Sequence, residues 1–117
     1  MSKIIKIAVD AMGGDNSPKK IIDGINHHYK SNTNTFYQIF GDKDKIQNYI
    51  NDLLPTSSFE IIHTKDVVKG TDSPLEGAKR GKNTSMWLAI QSVKEKKSDM
   101  VISAGNTGAL LVISKLN

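Results

Sequence analysis

The chain has 117 residues, 38% of them apolar and 24% charged, with the charges spread along it, a balance that fits one compact domain and excludes a disordered tail. It contains no cysteine, which removes disulfides, thiolate metal sites and a cysteine nucleophile and fits a cytosolic setting. Its net charge of +4, from fifteen lysines and one arginine against twelve acids, favours acidic partners in general; with one Trp and scattered lysines the pattern does not point to nucleic acid.

The opening stretch MSKIIKIAVD has too short an apolar run for a signal peptide, and ALLVI at 109–113 is far below a membrane span, so nothing is expected to cross a bilayer. Residues 3–10, KIIKIAVD, are apolar and β-branched without a helical period, which predicts a buried strand ending at Asp10. Ser17 followed by Pro18 reads as an N-cap and a first helical position. Ile21, Ile22, Ile25 and Tyr29 at helical spacing then predict an amphipathic helix over 18–30. SNTNT, 31–35, is the polar loop after it.

The cycle repeats. FYQIF, 36–40, predicts a second strand broken by Gly41, and Asp42 caps a helix whose Ile46, Tyr49, Ile50 and Leu53 form one stripe, ended by Pro55. FEIIH, 59–63, predicts a third strand, followed by the Gly- and charge-rich surface stretch KGTDSPLEGAKRGKN with a short helical turn after Pro74. Asn83 or Thr84 opens a helix with Met86, Ala89, Ile90 and Val93 on its buried face, and KEKK at 94–97 answers its C-terminal dipole. DMVIS, 99–103, predicts a fourth strand, and AGNTG turns into a last helix carrying Leu110, Leu111 and Ile113. Strands alternating with helices in this way predict right-handed crossovers and an α/β, three-layer α/β/α fold around a mostly parallel sheet.

In such a sheet a ligand lies beyond the carboxyl ends of the strands, where helix N-termini also point, which selects the loops at 10–17 and 103–108. In SAGNTGAL, Gly105 and Gly108 allow close backbone approach, while Ser103, Asn106 and Thr107 supply hydroxyl and amide groups beside helix N–H donors. That is chemistry for holding phosphate, and equally an ordinary strand-to-helix connection capped by Asn106 or Thr107. Neither GxxxxGK[ST] nor GxGxxG is present. DAMGGD, with Gly13 and Gly14 between Asp10 and Asp15, reads either as a turn needing positive φ or as a site wall; a metal there would lack a neighbouring third acid or His-x-His pair. Arg80, the sole arginine, carries the side chain best matched to phosphate oxygens, with Lys79 and Lys82 as weaker candidates. His27 and His28 fall in the first helix, where at most one can face the core, and His63 ends a strand on the ligand side.

Taken together, IAVDAMGGDNSP and SAGNTGAL resemble the two N-terminal signatures of the PlsX-type phosphate acyltransferases of bacterial phospholipid synthesis. GD at 41–42, IIHT at 61–64, DSP at 72–74 and TSM at 84–86 fall between them in that family's order. The resemblance covers essentially the whole chain and implies a fold similar to phosphate acetyltransferases, truncated here after about four strands, with residues 1–117 the N-terminal part of a single domain. It also implies a usually dimeric protein in which inorganic phosphate attacks the thioester of an acyl–acyl-carrier-protein, giving acyl phosphate and free carrier protein. No cofactor or metal is implied, and the setting is cytoplasmic with peripheral membrane contact.

On this resemblance Asp10, Ser103 and Asn106 are the catalytic candidates. Gly13, Gly14, Asp15, Arg80, Gly105, Thr107 and Gly108 are the substrate-binding ones. Phosphate is already a nucleophile, so positioning, charge compensation and oxyanion donors suffice and the missing cysteine is no obstacle. Lys79 stands where the family usually has Arg, which keeps the charge and loses the bidentate fork. Family members are much longer than this chain. The alternative is therefore a truncated or split-gene fragment without activity on its own, its open sheet edge making it marginal or self-associating. An unrelated nucleotide-binding module is a third reading.

Overall fold

The computed structural model describes residues 3–50, 52, 54–68, 72–79, 81, 83–105 and 113–114. Strand β1 runs Ile5–Asp10, helix α1 Lys19–Ser31, strand β2 Thr35–Gly41, helix α2 Lys43–Gln47 and strand β3 Phe59–His63. Helices α3 (Pro74–Lys79) and α4 (Ser85–Lys94) precede strand β4, Met100–Ser103. The strands form one four-stranded sheet in the order β3-β2-β1-β4, with every pairing parallel. All four strands therefore end at the same edge, where Asp10 stands beside Phe40 and Ser103, and Gly41 beside His63.

The period of two along the strands sorts the core into two layers. Ile7, Val9, Tyr37 and Ile39 pack under Ile22 and Ile25 of α1 and Ile46 of α2. Ala8 and Phe40 meet Ala89 of α4 on the opposite face, beside a cluster of Val68, Met86, Ile90 and Ile113. Helices thus cover both faces of a parallel sheet, as the alternation of elements predicts, and each buried aliphatic side chain contributes about 1.5–3 kcal/mol relative to exposure.

Three local expectations are corrected. Ser17 does not cap α1: Pro18 occupies the cap position, while the Ser17 hydroxyl donates to the Gly13 carbonyl at 2.5 Å and is used up inside the preceding loop. The predicted long second helix is a five-residue one, because the Tyr49 N–H tightens onto the Ile46 carbonyl at 3.0 Å and the Tyr49 carbonyl turns to accept from Asn26. Ile46 keeps its predicted burial and Tyr49 is exposed, whereas Leu53 lies outside the described residues. Gly41 does not break β2 but ends it, paired with His63.

Other caps are where they were expected. Asp42 accepts from the Lys45 N–H at 3.5 Å, and Thr84 accepts from the Trp87 N–H at 3.2 Å. The turn after Pro74 is α3, with Ser73 accepting from the Glu76 N–H at 3.2 Å. The predicted last helix lies largely outside the described residues, and Ile113 and Ser114 are helical there, with Ile113 wholly buried.

Candidate functional site

Asp10 closes β1 at the carboxyl edge and is 1% exposed. Its Oδ1 accepts the Ser85 hydroxyl at 2.6 Å and the Met12 N–H at 3.1 Å, and its Oδ2 accepts the Ser103 hydroxyl at 2.8 Å. Ser103 Oγ in turn accepts the Gly105 N–H at 3.2 Å. One buried carboxylate therefore ties together the end of β1, the first turn of α4 and the end of β4, with both of its oxygens hydrogen-bonded.

The two glycine-bearing loops touch. A methyl group at Gly13 would lie 2.8 Å from Asp10 Oδ2 and 2.9 Å from Gly105 Cα, closer than carbon atoms pack. Gly14 has φ +85°, and a side chain there would meet the Ala104 carbonyl at 2.6 Å. The double glycine is thus required twice over, by contact with the β4 loop at Gly13 and by both contact and backbone conformation at Gly14. Of the alternatives left open by the sequence, the turn needing positive φ is seen at Gly14.

Asp10, Gly13, Gly14, Ser103 and Gly105 are brought together. Asp15 is exposed in the same loop, next to Asn16 at φ 59°. Arg80, Asn106, Thr107 and Gly108 lie outside the described residues, as does Lys82. Among the described residues no three His, Asp or Glu side chains cluster in a way that could hold a metal ion. No helix among them is long and apolar enough to cross a membrane.

Two of the three histidines make hydrogen bonds within the fold. His27 is exposed, and His28 Nδ1 and the Tyr37 hydroxyl share a 2.6 Å hydrogen bond on the far side of the sheet from α4. His63 Nδ1 accepts the Lys43 N–H at 3.0 Å, at the start of α2. Burial of Tyr37 pushes its phenol above the usual tyrosine value, an effect the Thr35 hydrogen bond opposes and Tyr29 adds to.

Sequence reasoning missed Ser85. TSM reads as a helix start, and Thr84 accounts for the cap; no local pattern reveals that the next hydroxyl reaches a carboxylate 75 positions away. An apolar groove of about 330 Å³ between α1 and β4 was also not foreseen; Ile21, Ile25 and Ile102 line it, away from the Asp10 cluster.

A doubly covered parallel sheet whose two glycine-bearing loops touch at its carboxyl edge defines an α/β protein. A family model described as "Fatty acid synthesis protein" matches residues 5–117, and the chain belongs to that family. It is 96% identical, over all of its 117 residues, to a phosphate acyltransferase from Pelagibacter ubique, and 44% identical over 108 residues to a phosphate acyltransferase from Streptococcus pyogenes. It spans 35% of the first relative and 31% of the second, about a third of the length of each. The resemblance to the N-terminal portion of the PlsX-type enzymes is thereby borne out.

Proposed function

We propose that residues 1–117 are the N-terminal part of a single phosphate acyltransferase domain, and that the whole protein transfers an acyl group from acyl–acyl-carrier-protein to inorganic phosphate. The observation that carries this reading is the contact between the Gly13–Gly14 and Ser103–Gly105 loops at the carboxyl edge, in a chain whose relatives are named phosphate acyltransferase. A phosphate oxygen attacks the thioester carbonyl carbon, an oxyanion forms, and the carbon–sulfur bond breaks to release the carrier thiol and leave an acyl phosphate for phospholipid synthesis. No covalent enzyme intermediate is needed, so the protein's work is to hold phosphate in line and to stabilise the oxyanion.

Asn106, Thr107 and the amide of Gly108 supply donors to phosphate or oxyanion, with Ser103 and Gly105 setting the loop that presents them. Gly13, Gly14 and Asp15 form the facing wall, and Asp10, buried with both oxygens engaged, serves the reaction through the loops it holds. Arg80 faces phosphate or the acidic carrier protein. The working form is a cytoplasmic homodimer that touches the membrane surface, without cofactor, metal or nucleic acid.

The test is acyl-phosphate formation by a chimera of these 117 residues and the remainder of the Pelagibacter relative. Asn106→Ala lowers it by about a hundredfold, as loss of an oxyanion-type donor does, and Asp10→Ala lowers it by about a hundredfold by displacing the loops that its carboxylate holds. Rates near wild type overturn the assignment. Because the chain spans only about a third of its relatives, a second reading stands beside it: the 117 residues alone are an inactive fragment. Assaying them with and without the separately expressed remainder decides between activity in isolation, restored activity and none.

A further inference from the structure

We propose that Ser85 is a positioning residue of this site, acting through Asp10 to set the two glycine loops against each other. The inference rests on the acyl-transfer reading for its kinetic consequence and on geometry for the rest. Ser85 is the first residue of α4 and is wholly buried. The helix does not need its hydroxyl, because Thr84 makes the capping bond to the Trp87 N–H at 3.2 Å. A buried hydroxyl without a partner is costly, and this one spends its proton on Asp10 Oδ1 at 2.6 Å.

Ser85 is itself fixed from the other side. Its N–H donates to the Asp66 carbonyl at 3.0 Å, and nearby the Thr64 hydroxyl donates to the Asn83 carbonyl at 2.5 Å, so the segment after β3 anchors the start of α4. A continuous line of hydrogen bonds then runs from Asp66 through Ser85, Asp10 and Ser103 to the Gly105 N–H, crossing from one side of the sheet's carboxyl edge to the other. Gly13 packs over Oδ2 of the carboxylate in the middle, so a turn of that carboxylate is felt directly at Gly13. Without the Ser85 hydroxyl, Oδ1 keeps only the Met12 N–H at 3.1 Å, and the carboxylate turns. Turning moves Oδ2 relative to both Gly13 and Ser103, so the two loops shift together. A displacement on the scale of one ångström in a positioning element is enough to cost a large part of the rate.

The experiment uses the same chimera, with amide hydrogen exchange as a readout independent of activity. Ser85→Ala speeds exchange at Met12 and Gly105 by about tenfold or more, and raises the phosphate KM by about tenfold. In an Asp10→Ala background, Ser85→Ala adds less than about a twofold change in KM, because the path through Asp10 is already cut. Thr84→Ala, which removes the cap of the same helix, lowers the thermal midpoint but leaves the phosphate KM within about twofold, separating positioning from general destabilisation. If Ser85→Ala does not fold, Ser85→Cys, which keeps the volume and weakens the donor to Asp10, replaces it in the exchange comparison. Unchanged exchange at Gly105, or a KM effect of Ser85→Ala that persists without Asp10, overturns the proposal. A wild-type chimera that forms no acyl phosphate overturns the functional reading instead, and the exchange comparison still decides the role of Ser85.

Discussion

Gly13 packs directly against the carboxylate of Asp10, leaving 2.8 Å between Oδ2 and the place a β-carbon would take. The same β-carbon would approach Gly105 Cα to 2.9 Å, so neither neighbour is the free end of a flexible side chain. Gly13→Ala should destabilise the 117-residue chain by about 1–3 kcal/mol, the usual cost of overpacking, and should lower acyl-phosphate formation in the chimera by about tenfold or more. Thermal unfolding and the acyl-phosphate assay check both; an unchanged midpoint would mean that the loops are not in contact.

Two further glycines should respond in opposite directions. Gly14→Ala adds a side chain at φ +85° and within 2.6 Å of the Ala104 carbonyl, so it should destabilise by about 1–3 kcal/mol. Gly24 lies within α1 with open space around it, so Gly24→Ala should stabilise by about 0.5–1 kcal/mol through helix propensity. Denaturant midpoints of the two variants, measured side by side, should bracket that of the wild type.

The buried phenol of Tyr37 makes stability pH-dependent in the alkaline range. Its pKa is raised above the ordinary 10.0, chiefly by burial, so the folded state holds the proton more tightly than the unfolded chain. That contribution is fully present below about pH 10 and is lost as pH rises through the raised value. Tyr37→Phe removes the titration and the 2.6 Å bond to His28, so the variant should be less stable than wild type near neutrality. The difference should shrink as pH rises from about 10 through the raised value. A gap in thermal midpoint that stays constant over that range would sink the argument.

Strand β4 is an edge of the sheet, with Met100 and Ile102 48% and 47% exposed beside the open groove under α1. The isolated chain should therefore self-associate with rising concentration, and Ile102→Lys should shift it toward monomer. Sedimentation velocity across a concentration series measures this directly. A wild-type chain that sediments as a monomer throughout would show that the exposed face is inert.

The strands and most helix faces were legible because they depend on local periodicity. The short apolar runs KIIKIAVD, FYQIF and FEIIH mark β1, β2 and β3 nearly to their ends, and Thr84 was readable as a cap because caps follow from residue type and position. Where prediction failed, a side chain had found a partner other than the helix it was expected to serve. Ser17 turned back to Gly13 instead of capping α1, and Asn26 took the Tyr49 carbonyl where the second helix was expected to continue. At the site, both glycine loops were recognisable, whereas Ser85 was invisible because its partner is distant in sequence.

The sequence by itself determined the alternating α/β architecture, the family, and the two glycine loops at one end of the sheet, since each is written in short contiguous patterns. Only the tertiary structure decided that Gly13 meets Gly105, that Asp10 is buried with Ser85 and Ser103 as its donors, and that β4 is left with an open apolar face. Those relationships follow from the strand order, which sets β1 between β2 and β4 and so brings residues 10 and 103 side by side. Hydrophobic periodicity assigns a residue to a face, but it carries no information about which strand will be its neighbour.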